Sequence, residues 1–257
     1  MSDIFLDDAP PPQAIKGRSL WEDARRRLMR NPAAVASLYV VAILVLIAAF
    51  GPFLWVHKID DIFRESVGIG PTWENWHILG TDTEGRDMVA RLIFGLGISL
   101  MVGLVATVVA ITIGVTYGAI AGFIGGWVDE AMMRFVDVLY AVPFVFFVIV
   151  LMTVINTPDP WIKLMWIFAA IGAVEWLTMA RIVRGQTISM RKKEFVEAAR
   201  ASGAGPMQIV FRHIVPNVLG PVVVFATLNI PVIILAESFL SFIGLGVQEP
   251  LTSLGRL

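Results

Sequence analysis

Few side chains in this sequence are of a type and spacing that could do covalent chemistry. His57, His77 and His213 are its only histidines, and imidazoles are the usual metal ligands and proton shuttles at neutral pH. They are too scattered across the segments they fall in to build an obvious metal or triad site. Cysteine is absent, which removes disulfides, thiolate metal centres and cysteine nucleophiles together and leaves the redox compartment unread. No G-x-x-x-x-G-K-S/T run is present to cradle nucleotide phosphates in a P-loop. H-E-x-x-H and G-x-S-x-G are missing as well. The chain is therefore not read as an enzyme, it carries no cofactor or metal of its own, and any ATP it depends on is bound elsewhere.

What the sequence does offer is a short, charged and small-residue helix. Glu194 to Arg200 reads E-F-V-E-A-A-R, composed of good helix formers, and Gly203, Gly205 and Pro206 end it. Phe195, Val196, Ala198 and Ala199 give it an apolar, small surface, whereas Glu194, Glu197 and Arg200 are charged. Alanines permit close backbone approach, so the segment suits docking into a groove of another protein. A plain surface helix tying two neighbouring segments together fits the spacing equally well.

The elements that must position this helix are membrane spans. Hydrophobic residues make up 57% and charged residues 16% of the chain, and mean hydropathy is +0.76; soluble domains hold about 45–50% apolar and about 25% charged residues. Apolar surface on that scale needs lipid as its solvent. With 20 basic and 21 acidic side chains, total charge suggests no nucleic-acid partner. Stretches of about 20 apolar residues locate five spans. The first is Ala33 to Val56, stopped or kinked near Pro52. The second is about Ile98 to Phe123, within an uncharged run from Leu92 to Val128 closed by Gly122, Gly125 and Gly126. Val138 to Ile155 makes the third, opening near Pro143 and closing in a tight loop of Asn156, Thr157, Pro158, Asp159 and Pro160. Trp161 to Ala180 is the fourth, interrupted by Glu175, and Ile214 to Ala236 the fifth, carrying Pro216, Pro221 and Pro231, which are expected to bend it.

Lysine and arginine are held back on the cytoplasmic side. Lys16, Arg18, Arg25, Arg26, Arg27 and Arg30 precede the first span, so the N-terminus is placed inside. Arg181, Arg184, Arg191, Lys192, Lys193, Arg200 and Arg212 place the loop of residues 181–213 inside as well, and five alternating crossings agree. Residues 57–91, rich in carboxylates, then lie outside. No cleavable signal peptide is evident, because Asp3, Asp7, Asp8 and the Pro10–Pro12 run replace an apolar core. Ser19 and Glu22 have the spacing of a helix capping box. Leu20, Ala24 and Leu28 share one face while Arg25, Arg26 and Arg27 reach for phosphates, as in a helix lying on a membrane surface. The domain reading is a cytoplasmic tail with an interfacial helix at 1–32 and a transmembrane domain at 33–257.

Several single residues carry expectations. Glu175 is expected to make an interior polar contact. Glu237 is placed at the outer end of the fifth span, where hydration is easy. Gly114, Gly118 and Gly122 repeat every four residues and, with Gly103, are read as close helix contacts. Gly80 to Asp87 reads as a turn opening a short interfacial helix with Met88, Val89 and Leu92 toward lipid.

Glu197, Ala198 and Ala199, followed by Gly203, Ile214 and Pro216, resemble the signature loop of importer-type ABC permeases. The segments Gly80 to Asp87 with Arg91 and Gly95, G-G-W-V-D with Met133, Arg134 and Asp137, Arg212 to Asn217, and Leu240 to Gly246 are similar to the peptide and nickel group of that family. Ser19 to Leu38 looks most like the C-type subunit of its oligopeptide permeases. The resemblance covers most of the chain. It implies an all-α polytopic fold whose sixth helix lies beyond Leu257, the chain being a fragment or a shortened product, and Leu254 stands where the family commonly has tryptophan. It implies that Glu197, Ala198, Ala199, Gly203, Ile214 and Pro216 belong to a coupling helix and loop that enter a cleft of an ATP-binding subunit, with ATP and Mg held there. A second permease subunit, an extracytoplasmic solute-binding protein, the lipids of a bacterial cytoplasmic (inner) membrane and an oligopeptide cargo complete what it implies. A dipeptide or nickel permease is the alternative within the group, and an ATP-independent carrier or channel the alternative outside it.

Overall fold

The computed structural model describes residues 20–155 and 157–257. Ser19, the Pro10–Pro12 run, Lys16, Arg18 and Asn156 lie outside the described residues, as do the side chains of Leu20 and Ala24. Among the described residues there are helices and loops and one isolated bridge, Thr81 to Asp87, but no strand. The chain divides into two compact units, one ending at Leu44 and the other running from Val45 to Leu257.

In the first unit, α1 (Leu20–Arg30) carries Arg25, Arg26, Arg27 and Arg30 exposed. Asn31 then starts the next helix, α2 (Pro32–Leu54). Its Oδ1 accepts from the backbone N–H groups of Ala33 at 3.1 Å and Ala34 at 3.3 Å, while Pro32 occupies the first helical position, where a missing N–H costs nothing. α2 buries none of its residues, as an all-apolar helix does when lipid or another protein is its solvent.

The second unit is built on α3 (Met88–Ile124) and α6 (Pro160–Met190). Both are longer than the sequence reading. The uncharged run Leu92 to Val128 is shared between two helices, most of it in α3, which is 37 residues long, about 55 Å at about 1.5 Å per residue. α3 begins at Met88, so the short interfacial helix expected there is its first turns, and Arg91 and Ile93 are buried beside half-exposed Met88 and Val89. Gly125 (φ +70°) and Gly126 (φ +59°) end it in a backbone conformation suited to glycine. At the other end of α6, Asp159 Oδ1 accepts from the N–H of Trp161 at 2.8 Å and Ile162 at 3.3 Å, with Pro160 next in line.

The glycines of α3 set its distance from α6. A Cβ on Gly118 would lie 2.3 Å from the Ala180 carbonyl oxygen, one on Gly114 2.6 Å from Met179 Cβ, and one on Gly122 2.7 Å from the Arg184 oxygen. The backbones therefore touch where the every-fourth-residue pattern placed a contact. Gly103 faces Ile230 and Ile234 of α9 (Val215–Phe242). Three apolar clusters fill the rest, one around Val102, Ile167, Ile171, Ile233 and Leu240, one around Val183, Ile209, Val210, Ile214 and Val218, and a smaller one of Ala110, Val136, Trp176, Leu177 and Ala180.

The third span differs most from expectation. The chain forms α4 (Gly126–Tyr140) and α5 (Phe144–Val154), bent by 76° at a break before Pro143. Eleven residues of α5 rise only about 16 Å, too little to cross a hydrocarbon core of about 30 Å alone. Pro143 disfavours helical backbone at Val142 and so enforces the break. Four helices are long and apolar enough to cross, or five if the bent pair counts as one span. α4 is pinned to α6 by Arg184, whose Nε and Nη2 donate to the two oxygens of Asp129 at 2.5 and 2.7 Å.

α9 is continuous through Pro221 and Pro231. The irregular winding lies before it, a π turn at Val210–Ile214 after the short α8 (Pro206–Ile209), two residues ahead of Pro216. An extra residue in the turn makes room where the proline ring would meet a carbonyl of the preceding turn. Glu175 does make an interior contact: its Oε2 accepts from Asn229 Nδ2 of α9 at 2.7 Å. Glu237 is not hydrated. It is fully buried and accepts from Ser99 Oγ at 3.1 Å and Ser241 Oγ at 2.6 Å.

Candidate functional site

The segment read as a loop at 181–213 opens with the last three turns of α6; the connection itself starts at Arg191. It holds α7 (Glu194–Ala201), with Glu194 and Glu197 in the first turn and Arg200 in the last, an order of charges that complements the helix dipole. The end of α7 is a complete glycine stop. The N–H of Ala204 donates to the Ala199 carbonyl at 3.1 Å, and the N–H of Gly203 donates to that of Arg200 at 3.0 Å, with Gly203 at φ +82°. Nothing lies within 4 Å of where a Gly203 Cβ would be, so glycine is required here by backbone conformation and not by space.

The apolar surface expected of α7 is divided in two. Val196 is fully buried among Ile209, Val210 and Ile214, and Ala199 is half-buried against the same cluster. Phe195, Glu197, Ala198 and Gly203 stay exposed. Ile214 is fully buried and Pro216 exposed, so of the signature residues Ile214 anchors the segment while Glu197, Ala198, Gly203 and Pro216 face outward. Beside them lies a cavity of about 360 Å³ lined by Ala199, Ser202, Gly203, Gln208, Arg212 and His213. α7 touches the end of α3 through Arg200, whose guanidinium sits 5.3 Å from the centre of the Phe123 ring, a cation–π contact, and the connection before α7 does so through Arg191, whose Nη1 donates to the Gly122 carbonyl at 3.2 Å.

At the opposite end of these helices the structure assembles a group that spacing alone scattered. His57 and His77 stack with ring centres 4.7 Å apart and planes within 20°, and Asp87 joins them. His77 and Asp87 are both fully buried, with His77 Nδ1 2.9 Å from Asp87 Oδ1. Asp87 Oδ2 accepts from Trp55 Nε1 at 2.9 Å and, as the cap of α3, from the N–H of Ala90 at 2.8 Å. His213 lies apart, beside α7. Separations of 20 and 10 residues inside a segment without periodicity gave no sequence signal. The clue was Gly80 and Gly85, both at positive φ, which fold residues 77–87 back on themselves; Met88 N–H donates to the Gly80 carbonyl at 3.1 Å.

Below that turn Arg91 bonds Asp82. Burial raises the Asp82 carboxyl's pKa, but the backbone N–H groups of Arg86 and Glu84 and the Arg91 guanidinium outweigh it and hold the group below its ordinary value of 3.8.

Comparison with known proteins agrees with this architecture. Residues 114–257, more than half of the chain, match the family described as binding-protein-dependent transport system inner membrane component. Residues 19–67 match the N-terminal TM domain of oligopeptide transport permease C. The chain is 54% identical over 243 residues to the oligopeptide transport system permease protein OppC of Escherichia coli K12, covering 95% of this chain and 79% of that protein. It is 48% identical to OppC of Haemophilus influenzae, covering 95% and 76%. To the dipeptide transport system permease protein DppC of Bacillus subtilis it is 40% identical over 237 residues, covering 92% and 72%. A multi-pass helical core, a glycine-stopped helix carrying the signature residues and these similarities together establish that the chain belongs to the family of binding-protein-dependent transport system inner membrane components, the ABC importer permeases.

Proposed function

We propose that this chain is the permease subunit through which an ATP-driven importer moves oligopeptides inward across the bacterial cytoplasmic membrane. The observation that carries the reading is α7, half anchored through Val196 and Ile214 and half presented through Glu197, Ala198 and Gly203. A small rigid helix so held suits a cleft in an ATP-binding subunit and transmits a rigid-body motion to the spans behind it. ATP and Mg belong to that subunit, and this chain performs no hydrolysis. A second permease subunit completes the pathway, and a solute-binding protein delivers cargo from the outer face. The basic flanks support a cytoplasmic position for α1 and α7 and an outer one for residues 57–91.

The test is to purify the assembled complex in mild detergent, identify the co-purifying chains, and compare ATPase activity with peptide uptake. Wild type is expected with a P-loop ATPase and a second permease. Glu197→Lys and Gly203→Val are expected to insert normally but to lose most uptake per ATP hydrolysed. Unchanged coupling in both variants would overturn the role given to α7. The similarity to a dipeptide permease supports the second reading, and competition by dipeptides as strong as by longer peptides would favour it.

A further inference from the structure

We propose that His57 and His77, with Asp87 behind them, form a site for one divalent first-row transition ion of the zinc class. The three residues offer ligand atoms within 4.8 Å of one another. Asp87 fixes the state of His77. Its carboxylate accepts from Nδ1 at 2.9 Å, and its second oxygen is held by Trp55 and by the N–H of Ala90, so neither oxygen can drift. This is the carboxylate–histidine arrangement that orients a metal-ligating imidazole and leaves Nε2 with its lone pair. His77 Nε2 is buried and has no hydrogen-bond partner, although buried polar atoms are nearly always paired. A cation accepts that lone pair.

His57 supplies the second imidazole from a half-buried position on the wall of a cavity of about 360 Å³ that also touches Trp55 and Lys58. Its Nε2 now lies 2.6 Å from the Asn75 carbonyl oxygen. Lone pairs lie in the ring plane, so binding turns His57 out of its stack with His77, and water from the cavity completes the shell. Imidazole nitrogens without thiolate select zinc, nickel or cobalt over magnesium or calcium. The ion would staple the segment after α2 to the start of α3, a role independent of the transport reading.

Zinc is the probe, titrated into the full chain in detergent micelles without a histidine tag and followed by calorimetry and elemental analysis. With only three histidines in the sequence, the assignment can be exhausted by single substitutions. Wild type and His213→Gln are expected to take up one zinc per chain with equal affinity. His57→Gln is expected to bind at least about tenfold more weakly, and Asp87→Asn, which can still cap α3, about 10- to 100-fold more weakly. Circular dichroism of the metal-free variants must match wild type; His57→Gln, outside any helix, serves if Asp87→Asn fails to fold. Absence of zinc on wild type, or equal binding by His57→Gln and His213→Gln, would overturn the proposal.

Discussion

Gly203 isolates one physical effect at one residue. Because a Cβ there meets nothing, substitution changes only the cost of holding φ +82°, about 1–2 kcal/mol for an ordinary residue and less for asparagine. Gly203→Ala should therefore loosen the end of α7, raising amide exchange at Ser202 to Ala204, and Gly203→Asn should restore most of the protection. Gly118 is the opposite case, required by space. Gly118→Ala drives a methyl against the Ala180 carbonyl and should lower the thermal midpoint in detergent by several degrees, while Gly220→Ala, with open space around it, should not. These two glycines were legible in the sequence, one as a helix stop and one in a four-residue repeat, since both patterns are local. The Glu237 hydroxyl network was not, because Ser99 stands 138 residues from it and no local rule joins them. The buried pairing of His77 with Asp87 was hidden for the same reason, a fold-back that turn residues permit without specifying its partners.

Among the elements, α4 is joined to α6 by two charged links, Arg184 with Asp129 and the more exposed Arg181 with Asp137. Asp129 is 8% exposed but the Arg184 side chain is 36% exposed, so Asp129→Ala leaves the guanidinium partly hydrated and should cost about 1–1.5 kcal/mol. Replacing both, as Asp129→Leu with Arg184→Met, should recover part of that loss; a double-mutant cycle in thermal unfolding reads the coupling. The segment before α3 makes a prediction with a sign. A carboxyl held below 3.8 in the fold stabilises it at every pH above the unfolded value, and the contribution disappears as pH falls through the folded one. Asp82→Asn should be less protected than wild type at pH 7 in amide exchange of residues 80–91, with no change in the gap down to about pH 5 and a narrowing below about pH 4. Spans one, two, four and five were readable from hydropathy alone. The third was not, since hydropathy sums composition and is blind to direction: the α4–α5 bend at Pro143 leaves an apolar run that looks like a span but turns by 76°.

For the molecule as a whole, the absence of cysteine makes sidedness directly measurable. Single substitutions at exposed Ser202 and Thr83 should behave oppositely toward a membrane-impermeant maleimide: Thr83→Cys labels in spheroplasts, Ser202→Cys only in inverted vesicles. Labelling of both from one side would overturn the alternating topology. The unbroken run of α3 has one more consequence. The glycine contact at Gly118 divides it unequally, about 9 Å to its end at Ile124 and about 45 Å to its start at Met88. A rigid rod pivoting there is a lever with a ratio of about five to one, so a displacement of about 1 Å imposed beside Arg200 would sweep the histidine end through about 5 Å, a distance that paired spin labels can resolve.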